Sequence, residues 1–304
     1  MKDNKLITIL TPTYNRIDKL NNLYNSLCKQ TSLNFIWLII DDGSTENLKE
    51  KIDSFHNNNF KIVYKYKTNG GKHSAINYGL KIINTKLVFI VDNDDWLTNN
   101  AIEIIGKYYD EYNKNDNICG FSFLRQYPNG KTNVNLNNSE DIIGSYIQMR
   151  VNNNKVGDMA EVYFTSILKQ YSFPEIENEN FFSEDYVWIE IAKKYDLVFS
   201  SKVIYISDYI DDGLTKNRRK NNFRNPNGCY IRALVFIDKK INLKNRFKGM
   251  ILCQVYGWFL KKKAKEIYND TKHIALYILS LPFSFFIKKV WIKQYIEVQN
   301  EKNN

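Results

Sequence analysis

The chain has 304 residues, 43% of them hydrophobic and 14% aromatic, which suffices for one large domain, or one plus an appendage, around a sizeable core. Cys28, Cys119, Cys229 and Cys253 are widely spaced, in no pattern that suggests zinc or a disulfide framework, and a reduced, cytosolic chain is expected. The net charge of +10 favours anionic partners, no signal-peptide core follows Lys2 to Lys5, and without about 18 uninterrupted apolar residues no transmembrane helix is expected.

Residues 6–10, LITIL, read as a strand closed by Thr11, Pro12 and Thr13, because a proline lacks the N–H that a strand interior needs. Asp18 is placed to cap a helix that carries Leu20, Leu23, Tyr24 and Leu27 on one face. Residues 35–40, FIWLII, form a second buried strand, ending in Asp41, Asp42, Gly43 and Ser44. A helix over 46–56 presents Leu48, Ile52 and Phe55. Residues 61–66 alternate as a third strand, Gly70 and Gly71 break it, and a helix follows over about 74–83. Residues 87–91, LVFIV, are a fourth strand, stopped by Asp92, Asn93, Asp94 and Asp95.

This alternation predicts a parallel, doubly wound α/β sheet with helices on both faces. Right-handed crossovers bring the C-terminal ends of the strands to one edge, where such sheets bind ligands. Four polar clusters fall there, at 11–16, 41–44, 69–73 and 92–95. Alone, the aspartates at 92–95 are either an acidic turn or a hard-cation site suited to Mg²⁺ or Mn²⁺. Four converging clusters favour a site. There Asp42 is suited to accept from a base N–H, and Tyr14 to stack on a planar ring. Arg16, Lys72 and the N–H groups of Gly70 and Gly71 suit a diphosphate at a helix N-terminus.

In order and spacing, TPTYNR at 11–16, DDGS at 41–44, NGGKHSAINYG at 69–79 and VDNDDWL at 91–97 resemble the family 2 glycosyltransferases of the GT-A fold. A softer match covers 156–163, 173–195 and 209–217, and is similar to the acceptor half of members that build bacterial surface polysaccharides. The resemblance implies a GT-A (Rossmann-like) domain over 1–222, divided near 110, with a mostly parallel sheet flanked by helices. A helical C-terminal region over 223–304 follows. It also implies inverting transfer of a sugar from a UDP-sugar to a glycan or lipid-linked acceptor, assisted by Mn²⁺ or Mg²⁺. By position, Thr11, Pro12, Tyr14 and Arg16 would line the nucleoside pocket and Asp42 would meet the uracil. Gly71, Lys72, Asn77 and Asn93 would complete the nucleotide-sugar set. Asp92 would approach the ribose or sugar, and Asp94, with Asp95, the metal. Asp185 would be the catalytic base, with Glu184 its rival.

Inversion needs one in-line displacement with a carboxylate on the acceptor side. Burial among Phe181, Phe182, Tyr186 and Trp188, beside a second carboxylate, is expected to raise the base's pKa. The ordinary alternative is that Asp185 is a favourable charge at a helix start. Asp158 and Glu161 are candidates for holding sugar or acceptor hydroxyls, or belong to a solvated turn. Lys216, Arg218 and Arg219 suit a loop that closes over the diphosphate, or a plain basic loop.

After residue 225 the pattern turns helical. Residues 274–287 are mostly apolar, interrupted by Pro282 and bordered by Lys288, Lys289 and Trp291. That stretch is too short to span a bilayer, and suits either an interfacial helix at the inner face of a membrane or internal packing. A homo-oligomer is left open. A nucleotidyltransferase is the competing enzyme, although TPTYNR stands where its Gly-rich, basic signature is expected. A basic protein binding membrane or nucleic acid is the competing non-enzyme, and acidic clusters at the sheet edge argue against nucleic acid there.

Overall fold

The protein is described from a computed structural model, over residues 4–55, 59–136, 140–155, 157–207 and 218–303. The basic loop with Lys216, and the 209–217 part of the softer match, lie outside the described residues.

The first half alternates strand and helix. Strands β1 (Ile7–Thr13), β2 (Phe35–Asp41), β3 (Lys61–Tyr66) and β4 (Leu87–Ile90) are joined by helices α1 (Leu20–Cys28), α2 (Leu48–Asp53) and α3 (Lys72–Ile82). They pair in parallel in the order β3-β2-β1-β4. Period-two alternation puts Ile7 and Ile9, Phe35 and Trp37, and Leu87 and Phe89 on one face, packed on Leu20, Leu23 and Leu27 of α1. Leu10, Leu38 and Val88 face the other way, onto Ala75, Ile76 and Leu80 of α3. Both faces of β1, β2 and β4 are dry, which is why these three strands read as continuous apolar runs, whereas β3 at the sheet edge is half-buried and alternates.

Two helix boundaries differ from the sequence expectation. Asp18 sits in a short 3₁₀ turn, Ile17–Lys19, rather than capping α1. The second helix is shorter than 46–56 because Asn47 caps it, its side chain accepting from the Glu50 N–H.

The remaining strands extend the same sheet: β5 (Trp96–Leu97), β6 (Ile118–Gln126), β7 (Ile142–Gly144), β8 (Met159–Phe164) and β9 (Asp196–Ile206). β8 enters antiparallel between β4 and β6, while β6 and β9 are parallel. Helix α4 (Ala101–Tyr112) covers the first face, and α5 (Thr165–Leu168) and α6 (Asp185–Ala192) the second. Trp188 of α6 stacks on Tyr163 of β8 at 4.5 Å between ring centroids, fixing the start of α6 over the sheet.

Helices α7 (Arg218–Arg224), α8 (Pro226–Val235), α9 (Leu243–Phe259), α10 (Ala264–Thr271) and α11 (Ile274–Asn303) form the C-terminal region. Their cluster is built on Phe223, Tyr230, Met250, Tyr256 and Phe259. Helix α7 runs through residue 222, and its Phe223 belongs to this cluster.

The expectation of a short apolar stretch ending near 287 is corrected. One helix continues through Pro282, and 274–302 is long and apolar enough to cross a membrane, with 22% of its most apolar window buried. Pro282 does not end it, because buried Gln254 of α9 anchors both sides. Its amide oxygen accepts from the hydroxyls of Ser280 and Ser284, and its amide donates to the Tyr277 carbonyl at 2.8 Å.

Candidate active site

β1, β2, β3 and β4 deliver their C-terminal ends to one edge, and side chains tie those ends together. Asp42, just past β2, is 2% exposed. Its Oδ1 accepts from the Gly70 N–H at 3.0 Å and from Lys67 Nζ at 2.6 Å, and its Oδ2 from the Gly71 N–H at 2.7 Å. The carboxylate therefore clamps the turn that opens α3. Gly71 has a φ of +88°, and an added Cβ would lie 1.9 Å from the Asn180 carbonyl, so the turn admits no side chain there. Asp41 accepts from the Ser44 N–H and the Tyr64 hydroxyl, closing the neighbouring turn.

Lys72, the first residue of α3, reaches Asp92 at 2.5 Å and Glu184 at 2.8 Å. Burial pushes its ammonium toward neutrality, but the two carboxylates outweigh burial and the net shift is upward. Arg16, in left-handed backbone, reaches Asp94 at 3.2 Å. Asp42, Gly71, Lys72, Asp92, Asp94, Arg16 and Glu184 thus belong to one connected cluster, drawn from five chain segments. Asn93 joins it from behind, donating to the Thr13 hydroxyl at 2.8 Å. Tyr14 projects beside it, 50% exposed, and Pro12 is buried at the end of β1 opposite Ile40.

Two candidates lie elsewhere. Thr11 is in the core, where its hydroxyl accepts from Trp37 Nε1 at 3.0 Å. Asn77 holds the loop before α6, donating to the Phe173 carbonyl and Glu175 and accepting from the Phe173 N–H.

The aspartates differ in charge state. Burial raises Asp92, but Lys72 and Arg125 outweigh it and the net shift is downward. Asp94 is shifted upward by burial and by the charge of Asp92. Asp95 is pushed up to about 7 by burial and by Asp92, although the Tyr205 hydroxyl donates to it at 2.7 Å. Among the described residues no group of three or more His, Cys, Asp or Glu side chains forms a ready-made metal cage. The donor set still fits a hard cation: it is all carboxylate oxygen, and two of its members carry a strain of burial and mutual repulsion that a divalent ion would relieve.

The two acids at the start of α6 point to different partners. Glu184 faces Lys72 and the strand-end cluster. Asp185 takes the fork of Arg232 from α8, Nε donating at 2.7 Å to Oδ1 and Nη2 to Oδ2, and Ser183 adds a hydrogen bond at 2.7 Å. The expected upward pKa shift at Asp185 is reversed. Burial does raise it, but Arg232 outweighs burial and holds the carboxyl below its ordinary range. Glu161, on β8, is pushed up to about 7 by burial against the pull of Arg150 and Arg125. Asp158 is exposed.

Lys67, Arg232, Tyr205 and Arg125 escaped the sequence reading. Lys67 stands two residues before the NGG turn, which was a usable signal. Arg232 lies 47 residues from Asp185 in an ordinary amphipathic helix, and no spacing marks it.

The family model described as glycosyl transferase family 2 matches residues 8–174. The chain is 25% identical to the uncharacterized glycosyltransferase MG025 of Mycoplasma genitalium over 304 residues, covering 94% of each. It is 26% identical over 199 residues to the UDP-Glc:alpha-D-GlcNAc-diphosphoundecaprenol beta-1,3-glucosyltransferase WfgD of Escherichia coli, covering 63% of this chain and 71% of that protein. An uncharacterized glycosyltransferase of Rickettsia bellii is 36% identical over 107 residues, which is 35% of this chain and only 15% of the relative's length. Among solved structures, Staphylococcus aureus TarS 1-349 in complex with UDP-GlcNAc superposes with a TM-score of 0.61 at 17% identity, covering 92% of this chain and 80% of that one. A mannosyltransferase from Pyrobaculum calidifontis in complex with GDP-Man and Mn²⁺ gives 0.57 at 15% identity, covering 98% and 86%. At these identities the structures share the fold.

Proposed function

The chain belongs to glycosyl transferase family 2, and from that premise we propose that it moves a sugar from a UDP-sugar to a hydroxyl of a glycan or lipid-linked acceptor in surface-polysaccharide synthesis, with inversion. The observation that carries this reading is the connected strand-end cluster. Lys72 and Arg16, now paired with Asp92, Glu184 and Asp94, are cations that can exchange those partners for a diphosphate at the N-terminus of α3.

In this reading Tyr14 stacks on the base, while Asp42 acts by holding Gly70 and Gly71 in the turn that faces the nucleotide. Asp94, with Asp95 behind it, would hold Mn²⁺ or Mg²⁺. When bound, that ion would neutralise charge that develops on the leaving UDP. WfgD, a glucosyltransferase named for UDP-Glc, and TarS, in complex with UDP-GlcNAc, support a uridine donor.

Asp185 is the proposed base and Glu184 its alternative. A base must be ionised when the acceptor hydroxyl attacks, and Arg232 and Ser183 keep Asp185 both ionised and oriented. Glu184, paired with Lys72, would then face the donor side. The deciding experiment is a UDP-release assay across a panel of UDP-sugars with Mn²⁺. Release from one donor above the others supports the reading, and no release or binding from any UDP-sugar removes it.

We also propose that the C-terminal helices touch a membrane at its inner face. Ile278, Leu279, Phe283, Phe285, Phe286 and Val290 of α11 are exposed, Lys288 and Lys289 adjoin them in sequence, and four more lysines at 261–263 and 265 precede the helix. Flotation with anionic vesicles tests this. Protein left at the bottom of the gradient would dispose of it.

A further inference from the structure

A hollow of about 430 Å³ opens beside Asp185, away from the strand-end cluster, and the donor reading does not use its charge. Among the described residues it is lined by Arg150, Lys155, Arg218, Arg232 and Lys248, against one carboxylate, Asp185. These side chains come from separate places in the fold: a π-helical turn at Ile147–Asn152 and the loop after it, α7, α8 and α9. Arg232 is already engaged with Asp185. Arg150 is not satisfied. It is 8% exposed and gives one Nη2 hydrogen bond to the Gly157 carbonyl. Its Nε and Nη1 are buried without a hydrogen-bond partner among the described residues. A buried guanidinium with two idle donors is costly unless something supplies acceptors. Phosphate oxygens match its planar fork.

Resting on the transferase reading above, we propose that this hollow binds a phosphate or diphosphate group of the acceptor and so holds the acceptor's hydroxyl on the Asp185 side of the site. Ala233, Phe236 and Leu252 give it an apolar wall. Phe247, adjacent to the lining Lys248, packs edge-on against Phe283 of the exposed α11 ridge at 5.4 Å. The same phosphate chemistry belongs to a lipid-linked diphosphate and to a polymer joined by phosphodiesters.

The test is calorimetric titration of inorganic pyrophosphate into the full chain with UDP held saturating, so that the donor site is filled. Binding is expected, weakened at least about tenfold in Arg150→Gln and in the double variant Lys155→Glu/Lys248→Glu, with UDP affinity unchanged in both. Lys155 and Lys248 are exposed, so the double variant remains informative if Arg150→Gln unfolds. No binding to the UDP-loaded wild type, an unchanged affinity in the lysine double variant, or a matching loss of UDP affinity would each overturn the proposal. If the wild type fails to bind UDP, the transferase reading falls separately, and the loss of pyrophosphate affinity in the lysine double variant, measured without UDP, still decides whether this hollow takes phosphate. Preference for phenyl diphosphate over glycerophosphoglycerol would identify the lipid-linked source, and the reverse preference the polymer.

Discussion

The two acids at the start of α6 are neighbours in the chain and opposites in setting. Glu184 shares Lys72 with the strand-end cluster, whose other members the first hundred residues supply. Asp185 is held by Arg232, a residue of the C-terminal helices. One helix start therefore joins the proposed donor half, whose parts are encoded in short motifs, to the proposed acceptor half, whose charge is set from far along the chain. The lesson is that the site's binding groups are local in sequence, while the group proposed to do the chemistry is tuned by tertiary contact.

The contrast is sharpest for activity. Asp185→Asn is expected to lower kcat by about 10²- to 10⁴-fold with UDP affinity kept, the range for losing a general base. Glu184→Gln should instead weaken donor binding through Lys72. If Glu184→Gln loses turnover and Asp185→Asn does not, the two roles are exchanged. Arg232→Met breaks the lock itself. It leaves Asp185 buried without its partner, so a stability loss of about 3 kcal/mol is expected in urea unfolding. The acid limb of the pH–rate profile should also move to higher pH, because the carboxyl loses the charge that holds its pKa down. An acid limb that stays in place would separate Arg232 from the base.

On the donor side, Gly71→Ala should cost about 1–3 kcal/mol, since its positive φ is strained for alanine and its Cβ meets the Asn180 carbonyl. UDP affinity should fall with it, read by calorimetry. A wild-type affinity would mean that the Asp42-clamped turn does not face the nucleotide. Stability itself should depend on pH. Asp95 and Glu161 are each raised to about 7 in the folded protein, from ordinary values of 3.8 and 4.5. Their folded forms retain protons that the unfolded chain releases. That stabilisation is full below pH 4 and fades as pH rises through about 7. Melting temperature should decline over that window, read by thermal unfolding at fixed salt. Mn²⁺ should restore more of it at pH 8 than at pH 5.5. Equal Mn²⁺ effects at both values would argue that the ion is not held by Asp94 and Asp95.

The parallel half was legible because β1, β2 and β4 are buried on both faces and end in abrupt polar clusters. Ile7, Trp37 and Phe89 announce the sheet, and Asp42, Gly71 and Asp94 its polar edge. What escaped was whatever depends on partners without a pattern. Thr11 sits within a site motif, yet its hydroxyl serves the core through Trp37. The downward shift at Asp185 could not be read because Arg232 is 47 residues away. Pro282 resembled a terminus because the bracing by Gln254 lies on another helix.

The most direct measurement is UDP titration with Mn²⁺ into the wild type, Lys72→Ala and Asp94→Asn. A shared grip on one diphosphate predicts binding by the wild type and a loss of about tenfold or more in each variant, the scale of one charge-assisted contact. Undiminished affinity in both variants, or no binding by the wild type, would contradict it.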